Sequence, residues 1–327
     1  MGLLRRFKWV YLLNNLFHKK SLQCNEDLYK QYGLRRSTTS LLESKDFSHA
    51  ANAKGPWLDE PGITAHAIKA HKDFGAFPLP VQQKILDWPQ QGYMILPAFF
   101  SSEEVDMVNS EIALLQKENK AKQRMDERII FAVRQSKKIY GLATDKRLTD
   151  LLSFILGKKV KLFQSLNFFK GSQQRAHSDT IHMTTFPLGF LIAVWVALED
   201  ISMESGPLFY YKGSHKLPYV LNSNYDHGGN YFLLGKDSYH KYEDAIGHVI
   251  AENQLEKAFF VAKKGDVFIW HANILHGGEK ILDPLSTRKS MVLHYFTEEV
   301  ICYHEITQRP AIFNGDEAHC PDDVPLK

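Results

Sequence analysis

Disulfide-forming capacity is nearly absent from this 327-residue chain, whose cysteines are Cys24, Cys302 and Cys320. An odd count without a C-x-x-C pair excludes the dense, even-numbered frameworks of small secreted domains. Unpaired thiols in a reducing compartment are expected, with the cytoplasm as the location. An excess of one charge is missing too. The chain has 40 Lys and Arg against 37 Asp and Glu, a formal net charge of +3. That is too little for a global field drawing nucleic acid. No internal repeat, low-complexity tract or phosphate-binding loop occurs. No apolar run reaches the roughly 20 residues that a bilayer-crossing helix needs. The nearest approach, MGLLRRFKWVYLLNNLFHKK, is broken by Asn14 and Asn15, and no small-residue cleavage site follows it. It therefore reads neither as a span nor as a signal peptide.

What is present is ample core material, 44% hydrophobic residues, enough for one large domain or two. In the basic first segment, Leu3, Leu4, Phe7, Tyr11 and Leu12 approximate a helical stripe flanked by Arg5, Arg6, Lys8, Lys19 and Lys20. Packing on the protein's own core is the expected use of that stripe; weak peripheral contact with an anionic membrane is the other. Residues 1–80 are expected to form a helical and irregular extension packed on a main domain of residues 81–327. Val81–Trp88 is predicted as a short helix ended by Pro89, and Tyr93–Leu96 as a strand. Ser101 and Glu104 make a capping box that opens a helix through Leu115. Asp145–Leu156 is a further helix, stopped at Gly157.

Beyond that point the pattern changes. Val160–Phe169, Leu188–Leu198, Leu208–Tyr211, Ala258–Val261, Val267–Trp270 and Met291–Phe296 are short runs rich in Val, Ile, Phe and Tyr. Turns such as ESGP, YKGS and KKGD separate them. This punctuation predicts an antiparallel sandwich or jelly roll, hence an α+β chain with helices first and a β core after. Residues 219–253, rich in Gly, Asn, Tyr and His and without a clear period, are expected as a mobile cover.

The chemistry-bearing stretch is QQRAHSDTIHM. In an extended strand, His177 and Asp179 project from the same face. His276 follows far downstream in HANILHGGEK, and Arg288 beyond it in STRKSMVLHYF. Two histidines and one carboxylate form the donor set of facial ferrous sites with open positions. Zinc in a hydrolytic site accepts the same donors, so spacing leaves the metal open. Arg288 narrows the choice. A buried guanidinium is costly unless it meets an anion, and the far carboxylate of 2-oxoglutarate can be held bidentately. His276 is preferred over His271 because Gly277 and Gly278 permit close backbone approach; His271 is left as a hydrogen-bonding or core residue. His182 points away from Asp179 if the strand continues, and can touch substrate if the chain turns after Thr180. His215, in KGSHK, reads as a turn-packing residue.

Taken in order, HSD, LIAVWVALEDISMESGPLFYYKGSHK, KKGDVFIWHANILHGG and a later RKS resemble the phytanoyl-CoA dioxygenase family between Tyr93 and Phe296. The resemblance implies a double-stranded β-helix, the cupin-like jelly roll. It implies Fe(II), 2-oxoglutarate and O2, and hydroxylation of a C–H bond in a small-molecule or lipid-like metabolite. His177, Asp179 and His276 would be the iron ligands and catalytic centre. Arg288 would hold the 2-oxoglutarate carboxylate, with Ser290 assisting from the same strand face. Trp195 matches a position lining the co-substrate pocket, and Asn167 a polar strand residue that touches the co-substrate. Gln164 lies nearer the substrate side in relatives. Related halogenases lack the carboxylate at the position of Asp179, so its presence implies an oxygenative outcome. The rival from another class is a non-catalytic, cupin-like metal- or glycan-binding jelly roll, distinguished by failure to bind 2-oxoglutarate. A zinc hydrolase ranks last, for want of a general base beside the triad. A small-molecule substrate is expected, with no nucleic-acid partner.

Overall fold

Alternation along each strand decides which side of the fold receives its bulk. A computed structural model describes residues 3–50, 53–117, 128–314 and 317–319. Its strands include β1 (Tyr93–Leu96), β2 (Arg128–Ile130), β3 (Val160–Phe168), β4 (Thr184–Phe186), β5 (Leu191–Ala197), β6 (Leu208–Tyr211), β7 (Lys257–Phe260), β8 (Val267–His271), β9 (His276–Gly278), β10 (Ser290–Thr297), β11 (Ile301–His304) and β12 (Arg309–Pro310), with a C-terminal pair, Ile312–Asn314 and Glu317–His319, after them. The large sheet has the order β1-β8-β5-β10-β3-β2; smaller sheets are β7-β6-β9 and β12-β11-β4. Every pairing within these sheets is antiparallel. The jelly roll expected from the turn punctuation is present.

β5 is buried along its whole length, because both of its faces are covered. Ile192, Val194 and Val196 meet Ile269, Met291 and Leu293 on the outer, helix-covered side. Ala193, Trp195 and Ala197 meet Phe268, Trp270 and Val292 on the inner side, toward the smaller sheet. The helical cover comes mainly from Ser102–Lys117 and Lys146–Leu156, whose Val105, Val108, Ile112, Leu148, Leu152 and Ile155 join the outer core. Full burial of such side chains is worth about 1.5–3 kcal/mol each.

The expected helix signals act as read. The Ser101 amide donates to Glu104 Oε2 at 2.7 Å, and the Glu104 amide to Ser101 Oγ at 3.2 Å. Asp145 caps the next helix by accepting from the Arg147 amide at 2.8 Å. Pro89 departs from expectation. The helix runs from Leu79 to Gln91 with Pro89 inside its last turn. The bias against helix before proline is only a bias, and burial of Ile85 and Trp88 outweighs it here. Gly92 stops the helix at φ +68°, its amide bonding the Trp88 carbonyl at 2.8 Å.

Residues before 80 lie against the β core. Phe47 stacks on Phe186 at 4.3 Å, and the Leu42 amide donates to the Gln308 carbonyl at 2.7 Å. Trp57 Nε1 donates to the Phe154 carbonyl at 2.6 Å. The first helix, Lys8–Phe17, corrects the stripe expectation. It buries Tyr11 and Asn15, while Trp9, Leu12, Leu13, Leu16 and Phe17 are exposed. The buried face is held by hydrogen bonds rather than apolar packing: Tyr11 Oη donates to the Arg5 carbonyl, and Asn15 Nδ2 to Thr39 O. The side chains of Leu3 and Leu4 lie outside the described residues.

The segment 219–253 is also corrected. Its second half is a 15-residue helix, Ser238–Glu252, with Tyr242 and Ile246 fully buried. Tyr242, Ile246 and Val249 recur at helical spacing and join one apolar cluster, so the segment is anchored. Cys24 is exposed and Cys302 buried, both free, and Cys320 falls outside the described residues. No helix among the described residues is long and apolar enough to cross a membrane.

Candidate metal centre

His177 and His276 meet as a backbone pair before they meet as side chains. Each donates its amide to the other's carbonyl at 2.9 Å, an isolated antiparallel bridge on the edge of β9. β9 is in turn registered on β6, with Tyr210 opposite His276. Two glycines permit this closeness. A Cβ on Gly277 would lie 2.5 Å from the Gln174 carbonyl, and one on Gly278 would run into Ser172 Oγ. The HGG triplet therefore has a steric cause.

After His177 the chain does not continue as a strand. Ser178 is extended, and Asp179 opens a 3-10 turn, Asp179–Ile181. The same-strand expectation for His177 and Asp179 fails there, yet the turn brings the carboxylate round to the histidines. One ligand atom from each of His177, Asp179 and His276 lies within 4.8 Å of the others, all three residues buried.

The hydrogen bonds around the trio assign its atoms. His177 Nδ1 bonds the Arg175 carbonyl and His276 Nδ1 the Ile274 carbonyl, both at 3.0 Å. Each ring then carries its proton on Nδ1 and keeps Nε2 as the lone-pair nitrogen. Asp179 Oδ1 is 3.6 Å from His276 Nε2. Its Oδ2 accepts from Trp270 Nε1 at 2.8 Å and stands 3.6 Å from His294 Nε2. One carboxylate oxygen is thus tethered and the other is turned to the histidines.

Burial, then neighbouring His276, pushes the His177 imidazole down to about 4, so it is neutral at pH 7. Burial alone would raise the Asp179 carboxyl, but His276 and then His294 hold it well below the usual carboxylate range. A neutral imidazole at His177 and an ionised carboxylate at Asp179 are the protonation states a divalent cation requires.

Arg288 lies just before β10 and is buried. Its Nη1 donates to the Gly206 carbonyl at 3.2 Å, while Nε has no partner among the described residues. Burial pushes its pKa down to about 10, which still leaves a cation at pH 7. Trp195 Nε1 and Ser290 Oγ are likewise buried, with no hydrogen-bond partner among the described residues. Such a concentration of unsatisfied donors is uncharacteristic of a folded interior and suits a polar ligand.

Arg288 and Trp195 border a cavity of about 840 Å³ that is also lined by the trio, Gln164, His182 and His294, among others. His182 faces it because the chain turns at Asp179; its ring lies 6.0 Å from that of His177. Gln164 Nε2 sits 3.3 Å from His294 Nδ1. Ser290 shares the inner face of β10 with Val292 and His294 by alternation, although it does not line the cavity itself. Asn167 is a correction. Gln164, Leu166 and Phe168 point into the cavity, so Asn167 faces the other side of β3, opposite Met291 of the outer core. Contact between Asn167 and a ligand in this cavity is not what its face permits. His271 and His215 have the structural places expected of them: His271 Nε2 bonds Asp59 Oδ2 at 3.0 Å, and His215 Nε2 lies 3.4 Å from Pro89 O.

Sequence reasoning missed Trp270, His294, Tyr239 and Tyr242. The Tyr242 hydroxyl accepts from the Ser178 amide at 2.9 Å and so positions the turn, while Tyr239 lines the cavity. For Trp270 a signal existed, since an inward tryptophan in a buried strand must find an acceptor for its N–H.

Comparison with known proteins agrees with this geometry. The family model for phytanoyl-CoA dioxygenase (PhyH) matches residues 88–284. The chain belongs to the phytanoyl-CoA dioxygenase family. Membership carries the family's chemistry, that of a non-haem iron dioxygenase using 2-oxoglutarate and dioxygen. Similar to this family member is the ectoine dioxygenase of Sphingopyxis alaskensis, 27% identical over 227 residues, 63% of this chain and 72% of that protein. The phytanoyl-CoA dioxygenase domain-containing protein 1 of Danio rerio is 30% identical over 122 residues, 35% of this chain and 38% of that relative. Solved structures share the fold. The 2-oxoglutarate-dependent carbocyclase SnoK from nogalamycin biosynthesis superposes with a TM-score of 0.55 at 15% identity, covering 71% of this chain and 89% of SnoK. EctD from S. alaskensis, with 2-oxoglutarate and 5-hydroxyectoine, gives 0.51 at 22% identity, covering 66% and 75%.

Proposed function

We propose that this chain hydroxylates an unactivated C–H bond of a small organic metabolite held beside His177, Asp179 and His276. The observation that carries the reading is Arg288, a buried guanidinium on the cavity that the trio borders, with no carboxylate partner among the described residues. A non-catalytic cupin-like binder of metal or glycan has no use for that cation, and a hydrolytic zinc site has none either.

In this reading, His177 Nε2, His276 Nε2 and Asp179 Oδ1 would hold the metal at the wall of the cavity. Ferrous iron bound there would supply, with 2-oxoglutarate and dioxygen, the oxidising power for C–H hydroxylation. Trp270 fixes Asp179 through Oδ2, so that a single oxygen is presented. Arg288 would neutralise and orient the far carboxylate of 2-oxoglutarate, with Trp195 Nε1 as a nearby donor and Ser290 behind them on the inner face of β10. Trp195, Leu208 and Val292 make the apolar floor that keeps water from the reacting centre. Gln164 and His182 stand where a substrate would be oriented. Polar cavity walls suit a small metabolite with hydrogen-bonding groups, for which ectoine, in the name of one relative, is a precedent. Free Cys24 and Cys302 favour a reducing compartment such as the cytoplasm.

The test is anaerobic titration with Fe(II) and 2-oxoglutarate, followed by succinate release in air. A metal-to-ligand absorption band and succinate formation are expected, both abolished in Asp179→Ala and His276→Ala. Retained turnover in either variant would refute the assignment.

A further inference from the structure

The apolar stripe of the first helix faces away from the protein. Trp9, Leu12, Leu13, Leu16 and Phe17 fall at the spacing i, i+3, i+4, i+7 and i+8, which gathers them on one side of the helix Lys8–Phe17. Trp9 is 52% and Phe17 86% exposed, while Tyr11 and Asn15 occupy the buried side. A face with this spacing usually packs on a core; here its side chains are exposed among the described residues.

A second exposed apolar element stands beside it. The Lys8 amide donates to the Phe232 carbonyl at 3.0 Å and the Leu234 amide to the Arg6 carbonyl at 2.7 Å, with Phe7 bridged to Leu233. These bonds set the loop tip Tyr231–Phe232 against the start of the helix. Asn230 Oδ1 fixes the tip by accepting the Phe232 and Leu233 amides, both at 2.9 Å. Tyr231 is 85% and Phe232 72% exposed, so two elements distant in sequence present aromatic side chains next to one another.

Charge identifies the occupant. Arg5, Arg6 and Lys8 precede the stripe and Lys19 and Lys20 follow it, while no Asp or Glu occurs before Glu26. We propose that the outward face of the helix Lys8–Phe17, together with the tip Tyr231–Phe232, docks the protein on a membrane surface rich in anionic lipid. Leucine and aromatic side chains enter the headgroup boundary while flanking Lys and Arg meet the lipid charge. A second copy of the chain fits less well, because a two-fold contact through this helix sets its basic flanks against those of its partner. This docking surface goes beyond the metal-centre reading and does not rest on it.

The experiment is sedimentation of the full chain with phosphatidylcholine vesicles, with and without phosphatidylserine, at low and high salt. Binding is expected to the anionic vesicles, weaker at high salt, with a blue shift in tryptophan emission. That shift reports Trp9, since Trp88, Trp195 and Trp270 are buried and Trp57 is half-buried. Leu16→Glu with Phe17→Glu, and separately Phe232→Ser, are expected to weaken binding about tenfold or more. Should the double variant not fold, Lys19→Glu with Lys20→Glu tests the same face through charge. Absence of binding to anionic vesicles, or binding that none of these substitutions lowers, overturns the proposal. So does a concentration-dependent dimer that the same substitutions dissociate.

Discussion

Arg288 is where cost and use are most directly opposed. A buried guanidinium with an unpartnered Nε destabilises the ligand-free protein, and only an anion repays it. Arg288→Met is therefore expected to leave the ligand-free protein as stable or more stable in a urea melt. The same change should weaken 2-oxoglutarate binding by about 10–100-fold, the worth of a lost charge-assisted hydrogen bond, as read by titration. Trp270→Phe tests the tether on Asp179 Oδ2. Fe(II) affinity should fall about 10–100-fold while the melting curve stays cooperative. At this scale the trio was legible because three short motifs and a late arginine occur in one order. Trp270 and His294 were not, because their contact with Asp179 depends on cross-strand register that no local pattern encodes. The misplacement of Asn167 was avoidable: residues three apart in a regular strand face opposite ways, so Gln164 and Asn167 could not both look into one cavity.

Among the elements, β9 and the end of the helix Leu79–Gln91 each depend on a glycine. Gly277→Ala drives a methyl into the Gln174 carbonyl and the Phe209 ring; loss of the absorption band with Fe(II) and 2-oxoglutarate is expected, because His276 shifts with its strand. Gly92→Ala combines a left-handed φ with a collision against the His215 ring. It should cost about 2–4 kcal/mol in a denaturant melt. His215 itself supplies a pH test. Burial, then His271, pushes its imidazole from 6.5 down to about 4. The unfolded chain therefore binds a proton that the folded chain refuses between those values. Its contribution to stability is complete above pH 6.5 and is lost as pH falls toward 4, with a slope of up to about 1.4 kcal/mol per pH unit. His215→Asn should flatten urea-melt stability over that window. Strand positions were readable because Gly, Pro and Ser turns cut the apolar runs cleanly. The helix Ser238–Glu252 was hidden by tyrosines on its apolar face and by Gly247 within it.

Over the whole molecule, residues 42–47 act as a strap across the sheet β12-β11-β4. Phe47 covers Phe186 and Tyr303, and buried Glu305 accepts from the Ser44 amide and hydroxyl and from the Asn222 amide. A chain lacking the first 50 residues uncovers Phe186, Ile301 and Tyr303. At about 1.5–3 kcal/mol for each side chain, it should melt at markedly lower temperature and elute as aggregate in size-exclusion chromatography. Where these residues lie was not legible in the sequence, since contacts between residues in the forties and residues past 300 leave no local trace. The outward turn of the first helix escaped for the same reason: a period shows which residues share a face, and only the neighbours show which way it looks.

The reciprocal amide bonds between His177 and His276 imply a socket that stands on its own. Its walls are tied by main chain, so a chelator should strip the cation and added salt restore it without any refolding lag. Deuterium uptake at those two amides should stay slow throughout the cycle. A cell short of iron would then keep the polypeptide in reserve, ready to be charged when supply returns.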